Sequence, residues 1–271
     1  MPAQPPRRFA APPDQAHGLR QLFAGGETRF VPLVHNPQVP SAGAVMERLC
    51  SAFAELGLHT LVVDAAETAS PPQELATVDL SACVETLSVN VSYLAARGLP
   101  MNYLDSRATM VGFLEALRLA APRADVVLLH ASALDLRRIF AGRTPRPVLL
   151  ASNRPDSLTH AYTSMKQLSQ RLGTLAYDLV IAGDVGPRRA TGMIDRLAEC
   201  ADHFLGAALR HVAVLDPGAP TQGLLPADLR RLAEGLVSRG LVPGTAGPPG
   251  PDLPPVSRVS VRGPQATGRM N

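Results

Sequence analysis

Six short apolar runs, separated by segments of helical period, constrain this chain more than any other feature. They fall at 29–34, 61–64, 125–130, 147–152, 178–182 and 211–215, and read Arg-Phe-Val-Pro-Leu-Val, Leu-Val-Val-Asp, Asp-Val-Val-Leu-Leu-His, Pro-Val-Leu-Leu-Ala-Ser, Asp-Leu-Val-Ile-Ala and His-Val-Ala-Val-Leu. A strand that is apolar on both faces must be covered on both, the condition of a parallel sheet with helices above and below it. Helical spacing is read over 45–56, from Arg107 to near Pro122, from a cap at Ser157 or Thr159 through Met165 and Leu168, over about 190–209, and over about 226–238. The alternation predicts an α/β fold: a doubly wound, mostly parallel sheet with helices on both faces. At 271 residues and 46% hydrophobic content the chain can bury one such core. The stretch from Leu75 to Tyr103 is less regular, and Val84-Glu85-Thr86-Leu87-Ser88-Val89 fits strand or helix. What the 75–105 region contributes is not legible from its residues.

The turn after the first strand is where an α/β domain of this order would bind a nucleotide. A phosphate-cradling loop needs glycines, so that backbone N–H groups approach the phosphates, and a lysine to meet the β/γ charge. Here residues 35–43 read His-Asn-Pro-Gln-Val-Pro-Ser-Ala-Gly. Pro37 and Pro40 remove donors, Gly43 alone remains, and the only lysine of the chain, Lys166, lies far away. The architecture is kept without the residues of its usual chemistry.

Composition narrows the partners. The formal charge of +3 arises almost wholly from arginine, scattered among 23 acidic residues, with few aromatics, so no nucleic-acid partner is expected. Cys50, Cys83 and Cys200 lie far apart and form no Cys-x-x-Cys pair, which reads as small buried hydrophobes in a reducing compartment. No window reaches eighteen apolar residues and no secretory signal is read at the start, so a cytoplasmic protein, placed at a pole only through partners, is expected. The division read from composition is a disordered N-terminus over 1–13, a capped helix over 14–26, an α/β domain over 27–241, and a disordered Pro/Gly-rich tail over 242–271.

Two motifs carry a family resemblance. Residues 153–162, Asn-Arg-Pro-Asp-Ser-Leu-Thr-His-Ala-Tyr, followed by Lys166, resemble the Pro-x-Ser-x-Thr-x-Ala-Tyr-x-x-x-Lys stretch of the MinD/ParA-like deviant P-loop ATPases. Within that group, Asp14-Gln15-Ala16-His17-Gly18-Leu19-Arg20 resembles the Asp-Gln-Ala-x-x-Leu-Arg motif of the FlhG/FleN-type flagellar-number regulators. Residues 56–65 and 199–206 are similar to the family's second-strand region and late helix, and the resemblance spans about Asp14 to Arg239.

On that resemblance, Asp14, Gln15, Ala16, Leu19 and Arg20 are expected to bind and stimulate the flagellar GTPase of signal-recognition-particle type, FlhF. Gln15 and Arg20 are the types of side chain that orient water or offset phosphate charge in GTPase sites. The same resemblance marks a vestigial nucleotide site. The phosphate-loop lysines fall on Pro37 and Ala42, and the magnesium-binding hydroxyl falls on Gly43. The family's Asp-Ala-Asp is here Asp64-Ala65-Ala66, the switch aspartate region is His130-Ala131-Ser132-Ala133, and the adenine-contacting Val-Asn is Ala182-Gly183. The expectation is a pseudo-ATPase with no catalytic residue, no metal and no cofactor, monomeric, and without a stable membrane anchor. The helix over 226–238 has an apolar face that suits packing on the sheet.

Two other functions are weighed against it: ATP held and slowly hydrolysed with magnesium through Arg48 or Arg154, and a scaffold for another polar machine such as pilus or cellulose secretion. Lys166 reads as a surface residue of its helix. A nucleophilic triad of Ser132, His130 and Asp135 is disfavoured by the absence of a Gly-x-Ser-x-Gly elbow.

Overall fold

The computed structural model describes residues 28–219 and 224–238. The residues read as disordered ends, over 1–13 and 242–271, and the 14–26 helix with its Asp14 to Arg20 motif lie outside these. Eight strands form one sheet: β1 (Arg29–Val34), β2 (Thr60–Asp64), β3 (Glu85–Ser88), β4 (Val91–Ala95), β5 (Val126–Ala131), β6 (Val148–Ser152), β7 (Ala176–Ala182) and β8 (Ala208–Leu215). Their order is β3-β4-β2-β5-β1-β6-β7-β8, parallel except for the antiparallel edge pair β3 and β4. The described helices are α1 (Ala42–Glu55), α2 (Gly112–Ala120), α3 (Ala133–Ile139), α4 (Pro155–Leu172), α5 (Pro187–Leu205) and α6 (Ala227–Val237).

Side-chain alternation along the central strands splits the core in two. Val127, Leu129 and Ala131 of β5 point to the face covered by α2, α3, α4 and α5, through Phe113, Leu136, Met165 and Leu197 among others. Val126 and Leu128 point to the opposite face, against Val45, Leu49 and Phe53 of α1 and Leu229 and Leu232 of α6. Leu229, Leu232 and Ala233 are thus engaged in ordinary packing, and Arg230 of α6 pairs with Glu55 of α1 at 2.8 Å.

A proline in a central strand needs a reason, since it cannot donate to the ladder. Arg29 and His35 both donate their N–H groups toward β5, to Asp125 and Ala131 carbonyls at 2.9 and 2.8 Å. Residues alternate, so Pro32 turns its missing donor toward β6, where pairing begins only at Leu33 opposite Val148.

Three local expectations change. The undecided 84–89 segment is strand, β3, joined to β4 in a hairpin that extends the sheet beyond β2. Helix α3 is an addition to the elements expected from sequence; Ser132 starts it by accepting from the Asp135 N–H at 3.1 Å. Helix α4 begins at Pro155, with Arg154 in the cap position, and neither Ser157 nor Thr159 caps it. Proline at the first helical position fixes φ and gives up an N–H that has no partner there anyway.

At the N-terminal edge of the sheet, Asp178 of β7 is fully buried, 2.7 Å from Arg146 Nε and 3.1 Å from His211 Nδ1, and it accepts from the His211 backbone N–H at 3.0 Å. Burial pushes its carboxyl pKa up, while Arg146 and His211 pull it down. The His211 ring lies against Gly235 of α6, where a Cβ would come within 2.4 Å of Cε1. An alanine in a helix ordinarily gains up to ~1 kcal/mol over glycine. Gly235→Ala is expected instead to destabilise by ~1–3 kcal/mol through overpacking, measured as a lower urea midpoint; an unchanged or raised midpoint would contradict this contact.

Candidate functional site

The C-terminal ends of β1, β2 and β5 lie side by side at the centre of the sheet, where open parallel sheets place their ligands. Asp64 ends β2, His130 is the penultimate residue of β5, and His35 follows β1. His130 Nδ1 is 2.9 Å from Asp64 Oδ1, and His130 Nε2 is 3.3 Å from His35 Nδ1. A carboxylate only accepts, so His130 donates from Nδ1, while one proton lies between His130 Nε2 and His35 Nδ1, its side set by the tautomers. His160 of α4 lies with Nε2 3.3 Å from the His35 carbonyl. Burial first, and His130 second, lower the His35 pKa to about 4. Hydrogen bonds thus link His35 through His130 to the Asp64 carboxyl group.

Part of the turn between β1 and α1 is held by its own groups. Asn36 is buried, and its amide nitrogen donates to the Leu150 carbonyl at 2.7 Å and the Ser157 carbonyl at 3.0 Å, while its oxygen accepts from the Gln38 N–H at 3.0 Å. The Val39 N–H bonds the Asn36 carbonyl at 2.9 Å, and Ser152 Oγ donates to the Gln38 carbonyl at 2.9 Å. Ser157 Oγ accepts from the Ser152 N–H at 2.8 Å. Pro37 and Pro40 have no N–H to offer, and those of His35, Gln38 and Val39 are already bonded. Gly43 has open space around its missing Cβ, so no close backbone approach explains it.

Of the residues marked as a vestigial site, Asp64 and His130 meet directly, Pro37 lies in the turn, and Ala42 and Gly43 open α1. His35, Asn36, Ser157 and His160 carry no site signal in the sequence reading. The available signal was a pair of polar residues directly after an apolar strand; their partners, 95 to 125 residues away, were not legible. The triad of Ser132, His130 and Asp135 is not assembled: Ser132 Oγ donates to Asp135 at 2.9 Å as a helix cap, while His130 bonds Asp64 and His35. Arg48 is buried and donates to the Ala219 carbonyl at 2.6 Å, and Lys166 is exposed on α4. Among the described residues no cluster of three or more His, Cys, Asp or Glu could hold a metal ion, and no described helix is long and apolar enough to cross a membrane.

Sheet order, crossovers and a site at the β1–α1 turn define the class as a P-loop NTPase type of doubly wound α/β domain. More narrowly the fold is MinD/ParA-like. It is similar to the MinD cell division protein of Aquifex aeolicus, at 12% identity and a TM-score of 0.52 over 77% of this chain and 97% of that one. An ATP complex of Cyanothece McdA gives 13% identity and 0.54 over 77% and 95%, and a plasmid partition protein of Borrelia burgdorferi 9% and 0.53 over 78% and 97%. At these identities the likeness is one of fold. No protein-family model matches the sequence. No curated protein matches it either.

Asn36→Ala strands the donors and acceptors of three elements in the interior, and is expected to cost ~1–3 kcal/mol in denaturant unfolding, whereas a surface change at Lys166 leaves stability unmoved. The lowered His35 pKa has a sign. The unfolded chain binds a proton near pH 6.5 that the folded protein refuses until about 4, so this stability is present above pH 6.5 and lost as pH falls through that window. A pH series of unfolding free energies should show a slope of up to ~1.4 kcal/mol per pH unit there; His35→Asn is expected to flatten it.

Proposed function

We propose that this protein is a MinD-like regulator of flagellar assembly, number or placement that acts by binding and not by hydrolysing ATP. The observation that carries the non-catalytic part is the internal bonding of the β1–α1 turn, where N–H groups are missing at Pro37 and Pro40 and engaged at His35, Gln38 and Val39. A triphosphate bound there would have to break the buried Asn36 bonds to β6 and α4 and would meet Asp64 with no lysine beside it. Of the two arginines of the competing ATP reading, Arg48 is engaged with the Ala219 carbonyl, and Arg154 is exposed at the start of α4. Pro37, Ala42, Gly43, Asp64 and His130 are, on this reading, remnants of a nucleotide site. The flagellar part rests on the Asp14-Gln15-Ala16 and Leu19-Arg20 resemblance, through which the chain would stimulate FlhF.

Turnover of GTP by the cognate flagellar GTPase, with this protein, with its Gln15→Ala variant and without either, tests the reading, with ATP and magnesium added to parallel samples. Stimulation lost in the variant and indifferent to ATP is the expected result. Stimulation that requires ATP, or a thermal stabilisation by ATP and magnesium approaching the ~2.7 kcal/mol of a ligand at 100 times its Kd, would overturn the pseudo-ATPase assignment. Absence of stimulation would remove the flagellar one.

A further inference from the structure

On the α1 side of the sheet, the helical layer stops short of the β3–β4 edge. A groove of about 650 Å³ lies there, with α1 as one wall. Its apolar lining comes from Met46 and Cys50 of α1 and from Val62, Leu87, Val91 and Tyr93 of the sheet edge. On the other flank of α1 the same face is covered by α6, through Leu229, Leu232 and Ala233. On this face Val91 and Tyr93 of β4, which pairs parallel with β2, are left half-buried, and Leu87 of the antiparallel edge strand β3 is 62% exposed. The ionisable groups along the groove are Glu47, Cys50, Asp64 and Tyr93, of which Glu47 and Asp64 are carboxylates, with no arginine or lysine among the lining residues, in a chain whose formal charge is +3. Burial first, and then the carboxylates of Asp64 and Glu85, push the Tyr93 phenol above its ordinary pKa. The groove runs beside α1 from Gly43 to Ala54, about 16 Å or three helical turns.

We propose that this groove receives an amphipathic helix of a partner protein, laid beside α1 to complete the helical layer, with its apolar stripe on Met46, Val62, Leu87 and Tyr93 and a basic residue toward Glu47 and Asp64. A helix fits the length and the missing layer, and a basic flank answers the two carboxylates; the same charges disfavour nucleic acid and anionic lipid. The inference rests on the described groove alone and stands apart from the flagellar reading, which depends on residues 14–20.

The probe is a fluorescein-labelled sixteen-residue peptide with leucines at i, i+3, i+4 and i+7 and flanking arginines, titrated by anisotropy against the full chain. A counterpart carrying glutamates for the arginines is the control. Glu47→Arg and Leu87→Asp alter exposed side chains and should leave the unfolding midpoint in place. Saturable binding is expected, weakened at least tenfold by either substitution and by the acidic counterpart, with slowed hydrogen exchange at 46–54 and 85–93. Equal binding of both peptides, equal binding by both variants, protection elsewhere, or no binding at all would overturn the proposal.

Discussion

Everything in this molecule depends on burying the central strands on both sides. β1, β5 and β6 present apolar residues to two faces, and neither face is stable in water, so helices must arrive on both. That requirement fixes the crossovers, and the crossovers fix where the C-terminal strand ends meet. Asp64, His130 and His35 are neighbours because β2, β5 and β1 are, not because their sequence positions suggest it.

The central turn gains a different kind of order from the one a phosphate would impose. A phosphate loop leaves its N–H groups pointing at a ligand; here a single asparagine side chain reaches from the turn to β6 and α4 and satisfies their backbone groups internally. The histidine chain beside it achieves the same for the carboxylate of Asp64. Both arrangements tie the turn and the strand ends to one another. The helical cover of the sheet is least complete along the β3–β4 edge.

How much was legible follows from the range of each interaction. Long apolar runs and helical periods are local, so the strands at 29–34, 125–130, 147–152 and 178–182 were readable to within a residue or two. The 84–89 segment was not, because β3 is exposed throughout and carries no alternation from a buried face; pairing with β4 makes it a strand. The cap of α4 differs from expectation for a related reason: Ser157 has the chemistry of a cap, but its hydroxyl is taken by Ser152 and Asn36 across the core.

By itself the sequence determined the doubly wound class, the single glycine and absent lysine of the turn, and the placing of Asp64 at a strand end, since each is a matter of residue type at a fixed local spacing. Only the tertiary structure decided what the residues of the turn and the strand ends bond to. The Asn36 clamp, the Asp64–His130–His35 chain and the groove beside α1 join residues far apart in the chain, and strand order and helix placement alone bring them within reach.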